Sequence, residues 1–141
     1  MFSRYDEATH DRDLWIVDLD GSNLRRLTRT LDVTETLPAV SHDGRTLAYR
    51  AVLSPREELR VVALPAMVPV ATVALPEGAY NINGLDFTAD DRSLVFGADA
   101  PDVGGSLQNI KSELFEAAID GTHLRRLTKN AAYDGQPAVI P

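Results

Sequence analysis

A fifteen-residue stretch occurs twice in this chain. Leu14–Thr28 reads LWIVDLDGSNLRRLT, and one hundred positions later Leu114–Thr128 reads LFEAAIDGTHLRRLT, with eight of the fifteen positions identical. Self-similarity at long period marks an architecture of stacked copies, in which each unit buries its faces against its neighbours. Such scaffolds present surfaces for binding more often than they carry out catalysis.

Short apolar runs follow one another between turn signals, and no helical period is sustained for three turns. The predicted strands are Leu14–Leu19, Asn23–Thr28, Leu37–Ser41, Thr46–Val52, Leu59–Leu64, Pro69–Leu75, Gly84–Thr88, Ser93–Gly97, Glu113–Ile119, His123–Thr128 and Gln136–Ile140. Asp20-Gly21, Asp43-Gly44 and Asp120-Gly121 stand between them as hairpin signals, and the expected geometry is a type I′ turn with positive φ at both central residues. A second echo relates Leu37–Tyr49 (LPAVSHDGRTLAY) to Gly84–Phe96 (GLDFTADDRSLVF), 47 residues apart, and Pro137-Ala138-Val139 repeats Pro38-Ala39-Val40. A unit of about 45–50 residues with four short strands has the length and content of a β-propeller blade. The predicted fold is therefore all-β, one propeller domain over 1–141 made of about three four-stranded antiparallel blades (1–36, 37–83 and 84–135) with a closing strand at 136–141.

The motifs resemble the propeller repeat of the TolB-like family and its WD-repeat-like relatives. The resemblance is carried by Leu14, Val17, Asp20, Gly21, Ser22, Asn23, Arg25, Arg26, Leu27 and Thr28, then by Pro38, Ser41, Asp43, Gly44, Arg45, Leu47, Ala48 and Tyr49. Ser3-Arg4-Tyr5-Asp6 is similar to the end of a blade's second strand. His42 stands where the family pattern has proline, Val40 where it has an aromatic residue, and Asp91 where it has the turn glycine. The resemblance implies a six-bladed ring and recognition of a protein, peptide or small ligand.

Three blades do not close a ring, since propellers have about four to eight. A lone first strand at Gln136 and a first blade over 1–36 that lacks its own first strand are complementary, so two copies joined head to tail would give six blades, a homodimer with no open edge. Net charge is −7, which argues against a nucleic-acid backbone as partner. Cysteine is absent, so disulfides and thiolate metal sites are excluded. Val61–Pro76, the longest uncharged stretch, is interrupted by Pro65 and Pro69 and falls short of the about 20 residues a span needs. With no leader pattern at Met1, the expected location is cytoplasmic, or periplasmic or extracellular if the chain is part of an exported protein.

Strand alternation places the B–C and D–A connections of the blades on one face, and the candidate binding residues there are Tyr80, Asn81, Asn83, Asp99, Asp102, Asn109, Tyr133 and Asp134, beside the acidic stretch Asp6–Asp13. The longest connection is Gly97–Ser112. The Asp-Gly turns on the opposite face read as hairpin geometry, and Arg25-Arg26 and Arg125-Arg126 read as exposed rim residues whose stems cover apolar surface. No catalytic residue, metal ligand or cofactor is assigned. His10, His42 and His123 fall in three different contexts, and Gly104-Gly105-Ser106-Leu107-Gln108 lacks the last glycine of a nucleophile elbow. The expected function is a non-catalytic recognition module. The rivals are a gating propeller of an α/β-hydrolase peptidase and a metal-dependent lyase or hydrolase built on the propeller.

Overall fold

Alternating apolar positions require cover on both faces of each sheet, and the fold supplies it by stacking. The structure is a computed structural model and describes residues 1–100, 111–130 and 132–140. Eleven strands form three antiparallel sheets among these residues. The first holds β1 (Phe2–Asp6), β2 (Asp11–Ile16) and β3 (Arg25–Arg26). The second holds β4 (Thr34–Val40), β5 (Thr46–Leu53), β6 (Arg56–Ala63) and β7 (Val68–Ala74). The third holds β8 (Tyr80–Phe87), β9 (Ser93–Ala100), β10 (Lys111–Ala118) and β11 (Arg125–Arg126). Every strand pairs with its sequence neighbour, so each sheet is a meander, a propeller blade in form. With strands lettered A to D along each blade, blades two and three are complete and blade one comprises B, C and D. No helix of the described residues is long and apolar enough to cross a membrane.

The core lies between blades. Leu47, Tyr49 and Ala51 of β5 face the first blade and join Leu14, Val33 and Val62. Ala48, on the other face of β5, joins Leu59, Val61 and Val73 beneath Phe87, Leu94, Phe96, Ala98, Phe115 and Ala117 of the third blade. A strand buried on both faces needs apolar residues at successive positions, which is why Leu47 and Ala48, facing opposite neighbours, are both apolar. Phe96 and Phe115 stack at 5.7 Å between centroids. The register aligns the repeats: Leu14, Leu59 and Leu114 pair with Ser3, Arg50 and Gly97, the same place in each C strand.

Two expectations change. The Asp-Gly hairpins are not type I′, because only the second residue has positive φ: 85° at Gly21, 71° at Gly44 and 87° at Gly121. The N–H of each glycine donates to the carbonyl three residues back, at Asp18, Ser41 and Ala118, and the preceding Asp carboxylate accepts the N–H of the residue after the glycine. A turn followed by one left-handed residue is the three-residue alternative to the two-residue loop. Gln136–Ile140 forms no ladder, since no B strand lies beside it to pair with. The segment runs along β8 instead, held where Val139 N–H donates to Asp86 Oδ2 at 2.8 Å.

Candidate functional site

The start of β8, the end of β9, the start of β10 and the segment after β11 meet at one end of the third sheet. Tyr80 at the start of β8 is paired with Asp99 near the end of β9, and Asp99 is paired with Ser112 at the start of β10, so the three lie in a row. Asn81 Nδ2 donates to Asp99 Oδ2 at 2.9 Å, and the Asn81 N–H donates to Glu57 of the second blade. Asn83 donates from its amide to the Ser112 hydroxyl, while its oxygen faces the Gln136 N–H at 3.4 Å. A Cβ at Gly135 would stand 2.6 Å from that oxygen, and one at Gly97 would overlap it. A side chain at either glycine would have to displace the Asn83 amide. Asp134 donates its N–H to the Ser112 carbonyl at 2.9 Å and accepts from the Asn130 amide.

Of the sequence candidates, Tyr80, Asn81, Asn83, Asp99 and Asp134 are thus drawn into one end of one blade. Tyr133 adjoins them, its ring edge against Gly135. Asn81 and Asn83 are engaged in holding strands together. Tyr80 and Tyr133 are 43% and 65% exposed. Asp102 and Asn109, together with Gly104–Gln108, lie outside the described residues. The acidic stretch Asp6–Asp13 forms the β1–β2 hairpin on the first blade, where Tyr5 OH meets His10 Nδ1 at 2.9 Å and Arg12 lies over the Tyr5 ring.

The histidines occupy separate places: His10 in that hairpin, His42 in the A–B turn of blade two and His123 in the C–D turn of blade three. Among the described residues no group of three or more His, Cys, Asp or Glu side chains could hold a metal ion.

The arginine pairs need correction. Arg25 and Arg125 are exposed, but Arg26 and Arg126 are half-buried, and each pairs with a carboxylate only 1% exposed, Asp13 and Glu113. Each Nε also donates to the carbonyl of the threonine two residues on, Thr28 or Thr128, whose hydroxyl accepts the N–H of Leu14 or Leu114. The Arg-Arg-Leu-Thr motif is a clamp fastening the D strand to the C strand. Sequence alone gives no sign that the second arginine turns inward, because its partner lies thirteen residues away on another strand.

Asp91 is the other residue whose role sequence missed. It fills the left-handed turn position that Gly44 fills in blade two, at φ 57°. Its carboxylate accepts the His42 and Asp43 N–H groups at 2.8 and 3.0 Å and faces His42 Nδ1 at 2.8 Å, which latches the third blade to the second. Burial pushes this carboxyl up, but the bonds from His42 and Asp43 outweigh it and hold it below its ordinary range. Asp20, Asp43, Asp90 and Asp120 are likewise lowered by hydrogen bonds from neighbouring hydroxyl and N–H groups in their own turns. The departure from the glycine pattern at position 91 is thus a contact between blades.

Glu35, fully buried in β4, stands at the junction of blades one and two. Burial pushes its carboxyl above the usual range, the Thr28 and Thr30 hydroxyls oppose that shift, and the neighbouring Asp13 carboxylate adds to it. One oxygen of each carboxylate, Glu35 Oε2 and Asp13 Oδ1, has no hydrogen-bond partner.

No family model matches the chain, and no curated protein matches it in sequence. Its fold matches solved propeller structures. TolB from Acinetobacter baumannii is 19% identical with a TM-score of 0.67, over 94% of this chain and 31% of that one. A putative TolB from Agrobacterium tumefaciens is 16% identical with a TM-score of 0.63, over 88% of this chain and 43% of that one. Oligogalacturonate lyase from Vibrio parahaemolyticus is 17% identical with a TM-score of 0.61, over 92% of this chain and 36% of that one. The chain thus has the fold of TolB-like propellers and spans less than half the length of each of these three.

Proposed function

We propose that this chain is a non-catalytic recognition module that binds a protein or peptide at the connection-rich end of its third blade, within a ring completed by a second copy of itself. The observation that carries the binding site is the pair Tyr80 and Tyr133, exposed beside the carboxylates of Asp99 and Asp134. Tyrosine supplies a large, stiff contact surface with a polar tip, and it is enriched in the centres of protein interfaces. The two rings stand on backbone that Asn81, Asn83 and Ser112 already hold in place, so little ordering is needed on binding. The adjacent Asp134 carboxylate favours a partner bearing basic residues. The lyase name among the structural neighbours belongs to that protein; at this identity the likeness supports the fold and not an activity.

Panning a displayed random-peptide library against the protein tests the site. Basic peptides should be enriched, and a Tyr80→Ala/Tyr133→Ala variant of unchanged melting temperature should lose them. Equal enrichment on both proteins would remove this end of the blade from consideration. Closure by a second copy predicts twice the chain mass in light scattering.

A further inference from the structure

The two outer faces of the stack differ from the inner ones in a specific way. In each blade the B-strand residue paired with the one before the C-strand leucine faces the preceding blade. In blades two and three that residue is Ala51, paired with Glu58, and Ala98, paired with Glu113, and both alanines are fully buried. In blade one it is Arg4, paired with Asp13 and exposed, its guanidinium 4.9 Å above the Trp15 ring. The residue two beyond the C-strand leucine faces the following blade. It is Ile16 in blade one and the fully buried Val61 in blade two, but Glu116 in blade three. Apolar residues thus hold these positions wherever a blade covers them within the chain, and charges of opposite sign hold them on the two uncovered faces.

The surroundings carry the same contrast. The open face of blade one is a groove of about 880 Å³ in which four arginines, Arg4, Arg25, Arg26 and Arg29, outnumber two carboxylates, Asp6 and Glu7. The open face of blade three carries Asp86, Asp99 and Glu116, with the exposed Arg125 paired to Glu116. We propose that Arg4 and Glu116 are the charge pair that selects this interface: the arginine face of one copy receives the acidic face of the other, twice about a two-fold axis. Blade one against blade one, or three against three, would set like charges opposite each other, which costs several kcal/mol in such contacts. The pair therefore enforces head-to-tail closure and the correct number of blades. This inference rests on the second-copy closure proposed above.

Sedimentation equilibrium on the full chain tests it with Arg4→Glu, Glu116→Arg and the exchanged double variant. Arg4 is exposed and Glu116 is half-buried on the uncovered face beside Arg125, so unchanged circular dichroism would verify folding of each variant. Each single variant should dimerise roughly tenfold or more weakly than the parent. The exchanged double variant should recover, and so should an equimolar mixture of the two singles, since each of its two contacts is again opposite in sign. A parent chain that stays monomeric at every concentration would overturn the second-copy closure itself. A dimeric parent whose single variants dimerise equally well would overturn the Arg4–Glu116 pairing alone.

Discussion

The hairpins 14–28 and 114–128 share turn, clamp and most of their sequence, yet they sit in different surroundings. Leu19 is 110% exposed, while its counterpart Ile119 packs against the core between blades two and three. Gly21 has nothing within 4 Å of where a Cβ would stand, whereas a Cβ at Gly121 would lie 2.9 Å from the Thr72 carbonyl oxygen of blade two. On the other face the asymmetry reverses: Leu14 is fully buried under blade two, and Leu114 is half-buried. The repeat therefore encodes a unit with two sticky faces, and position in the stack decides which face is satisfied. Trp15 and Leu19 are apolar because the unit expects a neighbour there, and that is the strongest internal support for one arriving from outside the chain.

The largest effect that sharpens this comparison concerns the clamp. Arg26→Ala should cost about 3 kcal/mol, because Asp13 would keep its burial and lose its arginine partner. Arg126→Ala should cost about 2 kcal/mol, since Glu113 keeps the Thr128 hydroxyl at 2.7 Å and the Asn130 N–H at 3.2 Å as donors. Chemical denaturation of the two variants decides the order. Equal losses would mean that the clamp acts as a unit, indifferent to the extra donors around Glu113.

A smaller effect separates the turns. Alanine at either glycine meets the same left-handed backbone, at a cost of about 1 kcal/mol. Gly121→Ala must also displace the Thr72 carbonyl, so it should cost about 1 kcal/mol more than Gly21→Ala. The gap should narrow at concentrations where a second copy covers Gly21. Identical melting shifts at every concentration would mean that the contact with Thr72 yields freely.

The blade repeat was legible because it rests on local chemistry: the Asp carboxylate caps its own turn, the residue after it takes the left-handed position, and alternation does the rest. What stayed hidden rests on pairing across sequence. Nothing in Arg26 announces Asp13, and nothing in Asp91 announces the His42 turn, 49 residues away. The segment after Gln136 echoes Pro38-Ala39-Val40, a strand of blade two, but a strand needs a partner as well as a pattern. Of the candidate site, the clustering was foreseeable from strand alternation. The engagement of Asn81 and Asn83 in structural hydrogen bonds was not, because both are as suited to holding backbone as to holding a ligand.

The smallest predicted change is a gain. Glu35 and Asp134 occupy matching places, each two residues before the Leu37-Pro38 and Gln136-Pro137 steps at which φ is 52°. Glu35 is fully buried between blades one and two; Asp134 is half-buried at the open end of blade three. Because burial raises the folded-state pKa of Glu35, there is no charging cost below the unfolded value, where both states hold the proton. As pH rises through the folded value, the native state must ionise a group that the unfolded chain ionises freely, and stability falls. Glu35→Gln removes that cost while leaving an oxygen for the Thr30 hydroxyl, which now reaches Glu35 Oε1 at 3.0 Å. It should raise stability by about 1 kcal/mol at neutral pH, with the gain fading toward about pH 4, where the free carboxyl titrates. Thermal melts of the Glu35→Gln variant across pH check this. A gain that persisted undiminished in acid would show that packing rather than charge governs this junction.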